Sequence, residues 1–334
     1  MKVLIIKLSS LGDVIHSLPV LSVLKGAGAE VDWVVEEENE ALLRGHPYLS
    51  RLIVWPRKRL LKRLKARDFA AIRETYSLVR EIRAKTYDVV IDLQGLLKSG
   101  VVAGLSRARY KIGFANHREA STFFYNVKLA PYSPDEHAVR RYLSTLNILG
   151  LETNHIDFVF PPFPPFKGLA QKFALPEKFA VLIPCTRWQT KHWTISGWQE
   201  LSLLLTQKGL APVFVGSAAD KSYVAKILAK GEGLSLCGKT SLLELASIIS
   251  QATLVVSVDT GPMHLAAALN KPVVALFGPT APWRTGPLGE RHRVIQKKLP
   301  CVPCFQRTCD TTRCMQEIAA EEIIEALDSM ALFG

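Results

Sequence analysis

The sequence predicts an α/β protein made of two similar halves, each a parallel β-sheet flanked by helices. Three observations carry this. Apolar runs of strand length alternate with stretches of helical periodicity; the alternation occurs twice along the chain; and a segment at 158–166 containing four prolines separates the two series. Repeated βα units imply a parallel sheet in each half. Four clustered prolines cannot belong to a central strand or a helix interior, so they mark the linker.

In chain order, residues 3–6 (Val-Leu-Ile-Ile) read as a buried strand, and Val14, Ile15, Leu18, Leu21 and Leu24 follow at helical spacing. Residues 31–35, 52–55 and 89–92 read as further strands, and 68–85 as a helix. Residues 57–67 carry seven cations (Arg57, Lys58, Arg59, Lys62, Arg63, Lys65 and Arg67), with Leu60, Leu61 and Leu64 between them. That pattern predicts a short basic amphipathic helix. The second half repeats the alternation with strands at 179–183, 211–215, 254–258 and 273–277 and helices near 195–208 and 219–230. Ala319, Ile323, Ile324, Leu327 and Met330 close the chain at helical spacing. The expected organisation is a first domain over 1–160, a proline-rich linker over 161–172, a second domain over 173–317 and a closing helix over 318–334.

At 334 residues with 48% hydrophobic content, the chain has enough apolar material for two α/β cores and does not read as disordered. Lys7 interrupts the first apolar run and no small-residue cleavage site follows, so no secretory signal is expected. No run approaches 18 apolar residues, and the expected location is cytoplasmic. The net charge of +12, from 42 basic and 30 acidic residues, favours a polyanionic partner: nucleic acid, an anionic membrane or a phosphorylated substrate. Residues 57–67 lack the interleaved aromatics of a nucleic-acid site, which argues against the first. Neither half follows its first strand with Gly-x-Gly-x-x-Gly; the loops read Ser9-Ser10-Leu11-Gly12-Asp13 and Cys185-Thr186-Arg187-Trp188. A dinucleotide dehydrogenase is therefore disfavoured, and the absence of a Gly-x-x-x-x-Gly-Lys-Ser/Thr run disfavours a P-loop NTPase.

Chemistry concentrates where strands become helices, the edge at which open α/β sheets bind ligands. Asp13 stands at the first such junction. A helix N-terminus favours its ionised form, suited to accepting a proton from a hydroxyl, although a plain helix cap would explain it equally well. In the second half Asp259-Thr-Gly-Pro-Met-His264 follows a strand and opens a helix. Thr260 and Gly261 thus lie where free backbone N–H groups receive a diphosphate, and Pro262 fits the start of a helix. Thr186, Arg187, Lys191 and His192 follow the half's first strand, where a lysine neutralises a departing phosphate as a point charge. Gly278-Pro-Thr280 forms another ligand-facing loop.

Six segments, Lys7-Leu-Ser-Ser-Leu-Gly-Asp-Val-Ile-His-Ser-Leu-Pro19, Asp32-Trp-Val-Val-Glu-Glu37, Asp92-Leu-Gln-Gly-Leu-Leu-Lys-Ser99, Arg118-Glu-Ala-Ser-Thr-Phe-Phe-Tyr125, Lys191-His-Trp193 and Ser257-Val-Asp-Thr-Gly-Pro-Met-His264, occur in the order found in the ADP-heptose:lipopolysaccharide heptosyltransferases. The chain resembles that family up to about residue 280, and its second, third and fourth segments are most like those of heptosyltransferase I. The resemblance implies a GT-B fold, two Rossmann-like domains with parallel sheets facing a central cleft. It also implies inverting, metal-independent transfer of heptose from ADP-heptose to the Kdo of lipid-linked inner core, with no cofactor for catalysis. Asp13 would be the general base. Thr186, Lys191, Asp259, Thr260, Gly261 and His264 would hold the donor, with Asp220 near its ribose. Arg59, Arg63, Lys98 and Arg118 would meet the acidic groups of Kdo-lipid A. The enzyme would work at the inner face of the cytoplasmic membrane, against an anionic surface, with no nucleic-acid partner. A non-catalytic nucleotide-sugar-binding relative would be recognised by loss of the aspartate, and Asp13 is present.

Cys301, Cys304, Cys309 and Cys314 fall within 14 residues, a cluster that resembles heptosyltransferase II relatives more and leaves addition of the second heptose as the alternative. The spacing admits inert or oxidisable thiols, a structural zinc or an iron–sulfur centre. Cys185 and Cys237 read as buried thiols.

Overall fold

The computed structural model describes residues 1–330, and the chain separates into two compact units, Met1–Pro162 and Phe163–Gly334. The first unit holds strands β1 (Lys2–Ile6), β2 (Glu30–Glu36), β3 (Arg51–Trp55), β4 (Thr86–Asp92), β5 (Arg107–Phe114) and β6 (Val127–Leu129). The second holds β7 (Phe179–Ile183), β8 (Ala211–Phe214), β9 (Leu234–Ser235), β10 (Leu254–Val258), β11 (Val273–Phe277) and β12 (His292–Gln296). Each set forms one six-stranded sheet, in the orders β3-β2-β1-β4-β5-β6 and β12-β11-β10-β7-β8-β9. All neighbouring strands pair in parallel. Numbered from its own first strand, each sheet has the order 3-2-1-4-5-6 of a Rossmann-like fold, with its topological switch point between strands one and four.

The central strands are the apolar ones. Val3 to Ile6, all five residues of β7 and all of β10 and β11 are buried, as helices on both faces require. The sequence shows four strands in each half; the two extra strands of each sheet lie toward its flanks and are polar. β5 begins with an exposed or half-buried stretch and β12 is exposed in its middle, so an apolar-run criterion passes over them.

The division between units falls after Pro162, inside the expected linker. The linker is shorter than 161–172, because Phe166–Phe173 is a helix whose Phe166 stacks on Phe179 at 6.2 Å and whose Leu169 is buried. The closing helix is Ala320–Asp328, shorter than 318–334, and 331–334 lie outside the described residues. The basic segment forms the helix Arg57–Lys65, followed by the helix Ala70–Ile82. Among the described residues no helix is long and apolar enough to cross a membrane.

Candidate active site

In the first unit the helix Leu11–Gly26 starts directly after the β1 loop, capped by Ser10, with Asp13 three residues on. The backbone N–H and hydroxyl of Ser10 donate to Asp13 Oδ2 at 3.1 and 2.8 Å, so the capping reading is correct for one carboxylate oxygen. The other oxygen is held differently. Tyr142, on the helix Ala138–Ser144, donates its hydroxyl to Asp13 Oδ1 at 2.8 Å and accepts from Lys7 Nζ at 2.7 Å. Lys7 Nζ also donates to the Leu93 carbonyl at 3.0 Å and lies 3.7 Å from Asp13 Oδ1. Lys7 is buried, whereas Asp13 keeps about a third of its side chain exposed (35%). The carboxylate is thus fixed from behind and open in front.

Burial opposes the charge on Asp13, but the ammonium of Lys7 and the Tyr142 and Ser10 hydrogen bonds outweigh it and hold the carboxyl well below its usual range. Burial likewise pulls Lys7 down, opposed by Asp13. The facing edge of β4 completes the cradle. Gln94 Oε1 accepts from the N–H groups of Leu8 and Ser9 at 3.1 and 2.9 Å, pinning the loop that carries the cap. Asp92 Oδ1 accepts from Gln94 and Gly95, and Gly95 is required there: its φ is +67°, and a Cβ would meet the His117 ring at 2.4 Å. His117 is pushed down to about 3 by burial first, then by the charges of Lys7, Arg141 and Arg118. Three cations therefore act on this edge beside one open carboxylate.

The basic residues expected to meet the acceptor divide into two groups. Arg118 is exposed and Lys98 Nζ bridges Ser9 Oγ (2.9 Å) and Glu36 (2.8 Å), so Lys98 touches the Asp13 loop. Arg59 and Arg63 are instead occupied: Arg59 pairs with Glu74 at 2.7 Å and Glu37 at 3.4 Å, and Arg63 with Asp68 at 2.7 Å and Glu74 at 2.5 Å. Arg57 pairs with Glu36, and Lys58 with Glu38. Much of the seven-cation charge is therefore neutralised locally. The sequence pattern showed the cations, not their carboxylate partners.

In the second unit the corresponding switch point holds an ion pair. Lys191 Nζ lies 2.6 Å from Asp259 Oδ2, which also accepts from Thr280 Oγ1 at 2.7 Å. Lys191 follows β7, Asp259 follows β10 and Thr280 follows β11, so three adjacent strand ends converge on one carboxylate. Thr260 caps the helix Gly261–Ala268 from an extended conformation, with Pro262 in its first turn and His264 buried within it. Thr186 is tied through its carbonyl to His192 Nε2 at 2.8 Å. Asp220 Oδ2 accepts from the N–H and hydroxyl of Ser217, both at 2.7 Å, as a cap on the turn after β8. Trp188, which the sequence reading did not single out, has Lys191 4.5 Å from its ring centre and Arg307 4.7 Å away.

Burial and then the neighbouring Cys304, Cys301 and Cys309 push the Cys314 thiol up, so the four cysteines come near one another. Cys301 and Cys309 are exposed and Cys314 is buried, all four thiols are free, and among the described residues no three His, Cys, Asp or Glu side chains are arranged to hold a metal ion.

Comparison with known proteins agrees with this layout. The model of Glycosyltransferase family 9 (heptosyltransferase) matches residues 75–315. Lipopolysaccharide heptosyltransferase 1 of Pseudomonas aeruginosa is 33% identical over 92% of this chain and 87% of its own length. The structure of E. coli heptosyltransferase WaaC with ADP superimposes with a TM-score of 0.81 at 31% identity, covering 99% of this chain and all of that one (100%). WaaC with ADP-2-deoxy-2-fluoro heptose gives 0.78 at 30% identity over 98% and 99% of the two chains. Two parallel sheets of Rossmann-like order, an open carboxylate at one switch point and a lysine–aspartate pair beside a helix N-terminus at the other thus belong to a glycosyltransferase, and the chain is a member of Glycosyltransferase family 9, the heptosyltransferases.

Proposed function

We propose that this protein transfers heptose from ADP-heptose to the Kdo of the lipopolysaccharide inner core, by an inverting and metal-independent displacement. The observation that carries the reading is the pinned, open Asp13 carboxylate, supported by relatives named heptosyltransferase 1 and by a neighbour structure holding an ADP-heptose analogue. The Kdo hydroxyl oxygen attacks the anomeric carbon. The C–O bond to the β-phosphate breaks on the opposite face, its electron pair leaves with ADP, and the hydroxyl proton passes to Asp13. A carboxylate held below its usual range is a weak base, and that suits this step. The attacking oxygen becomes strongly acidic only once its new bond to carbon has formed, so proton transfer is late and a weak acceptor suffices.

On the donor side, Lys191 turns from Asp259 toward the diphosphate and offsets the charge that develops as ADP departs. Thr260 and Gly261 present the helix N-terminus to phosphate, Asp259 stays near the heptose, and Thr186, His264 and Asp220 complete the nucleotide site. Lys98 and Arg118 meet the acceptor's acidic groups. Arg59 and Arg63 do so by exchanging Glu74 for those groups. The reaction takes place at the cytoplasmic face of the inner membrane, where the acceptor is lipid-linked.

The test is to incubate the protein with ADP-heptose and, separately, Kdo-lipid A or its heptosylated form, following ADP release and product mass. Gain of one heptose on Kdo-lipid A supports the reading. Product from the heptosylated acceptor alone would assign the second transfer instead.

A further inference from the structure

The helices Arg57–Lys65 and Ala70–Ile82 leave apolar side chains uncovered. Phe69 is 79% exposed, Tyr76 64%, Ile72 55%, Leu61 45% and Leu64 38%. Phe69, Ile72 and Tyr76 recur at i, i+3 and i+7, one stripe of a helix. The stripe that meets the protein is another one: Ala71 and Ile82 are buried and Leu78 packs against the core around β1 and β4. The second helix is therefore apolar on two faces, and only one of them has a protein partner among the described residues. Around the uncovered face stand Lys62, Lys65, Arg67, Arg73 and Arg80, all exposed. Of the nearby acids, Asp68 and Glu74 already hold Arg63 and Arg59, and the exposed Glu81 beside Arg80 leaves five cations against one acid.

We infer that this helical hairpin docks on an anionic lipid bilayer, with Phe69, Ile72 and Tyr76 entering the headgroup–acyl boundary and the surrounding cations contacting anionic headgroups. A stripe of this kind binds membranes through buried apolar area together with charge. A second copy of the same face is a poor occupant, because a symmetric contact would set five cations of one copy against the same five of the other. The inference rests on the lipid-linked acceptor proposed above, and it adds to Lys62, Lys65 and Arg67 of the predicted basic helix the apolar Phe69, Ile72 and Tyr76, which no sequence pattern marked.

The test is co-sedimentation of the full chain with phosphatidylcholine vesicles, with and without about a third phosphatidylglycerol, for the wild type and for Phe69→Ser/Ile72→Ser/Tyr76→Ser, in low and high salt. The wild type should pellet with the anionic vesicles and be only partly released by salt. The triple variant should bind at least about tenfold more weakly and be released completely. Transfer to a water-soluble, lipid-free Kdo acceptor should be unchanged, which also shows that the variant is folded. If the triple variant does not fold, Phe69→Ser alone should give a smaller loss in the same direction. Equal vesicle binding by variant and wild type, no binding by the wild type, or a wild-type dimer that the variant converts to monomer would each overturn the inference. Failure of the wild type on the soluble acceptor would instead count against the proposed transfer, whatever the vesicles show.

Discussion

The two switch points share a strand order but treat their carboxylates in opposite ways. In the first unit Asp13 is held on one oxygen by its own cap and on the other by Tyr142, backed by a buried lysine that also bonds a main-chain carbonyl. In the second, Asp259 is held directly by Lys191 and Thr280. One carboxylate is braced through both oxygens by its own cap and by a distant helix. The other belongs to an ion pair whose lysine, in the transfer proposed above, changes partner when a diphosphate arrives. The difference suits the roles proposed above: a base has to be in position before the reaction, whereas a half-buried cation needs a counter-ion until its ligand comes.

The largest effect expected is that of Asp13→Asn. The amide keeps the shape but accepts no proton, so turnover should fall by about 100-fold or more while the circular dichroism spectrum stays unchanged. Near-normal turnover would return Asp13 to a capping role. Next is Lys191→Ala, which leaves Asp259 with Thr280 alone and removes the phosphate's counter-charge. The donor KM should rise by roughly 10- to 100-fold, with a smaller loss in turnover. Steady-state kinetics with varied ADP-heptose would decide this, and an unchanged KM would break the exchange model.

Tyr142→Phe should be milder and diagnostic. Losing the hydroxyl removes one of the contacts that favour ionised Asp13, so the carboxyl's pKa rises. In the proposed transfer ionised Asp13 takes the proton, so activity is lost as pH falls through that pKa, and the acid limb of kcat/KM should move to higher pH in the variant. At neutral pH the loss should be about tenfold. A rate loss with no movement of the limb would make Tyr142 a packing residue only. The smallest change expected is that of Arg59→Gln/Lys62→Gln/Arg63→Gln. Because Arg59 and Arg63 already share Glu74, their removal should weaken lipid-linked acceptor use by only a few-fold at low salt, and donor affinity not at all. A fall in donor affinity would place this segment on the nucleotide side.

What the sequence disclosed follows from how far each interaction reaches along the chain. The central strands are visible because burial on both faces makes them continuous apolar runs, and Asp13 and Asp259 are visible because they stand at strand-to-helix junctions. β6 and β9 are short and half exposed, and nothing in their composition separates them from loops. Tyr142 lies 129 positions from Asp13, so only the folded chain brings them together. Lys7 carried a signal, a lysine ending an otherwise apolar strand, but it read as an interruption and not as a buried partner. The cations of 57–67 were conspicuous; their acids, on β2 and its following turn and on the next helix, were not linked to them by any local pattern.

The division of labour between the two switch points is tested most directly by one titration, the affinity for ADP measured calorimetrically for wild type, Asp13→Asn and Lys191→Ala. The account predicts that Asp13→Asn binds ADP as the wild type does, whereas Lys191→Ala binds it at least about tenfold more weakly. Loss of ADP affinity in Asp13→Asn to the same extent as in Lys191→Ala would contradict it.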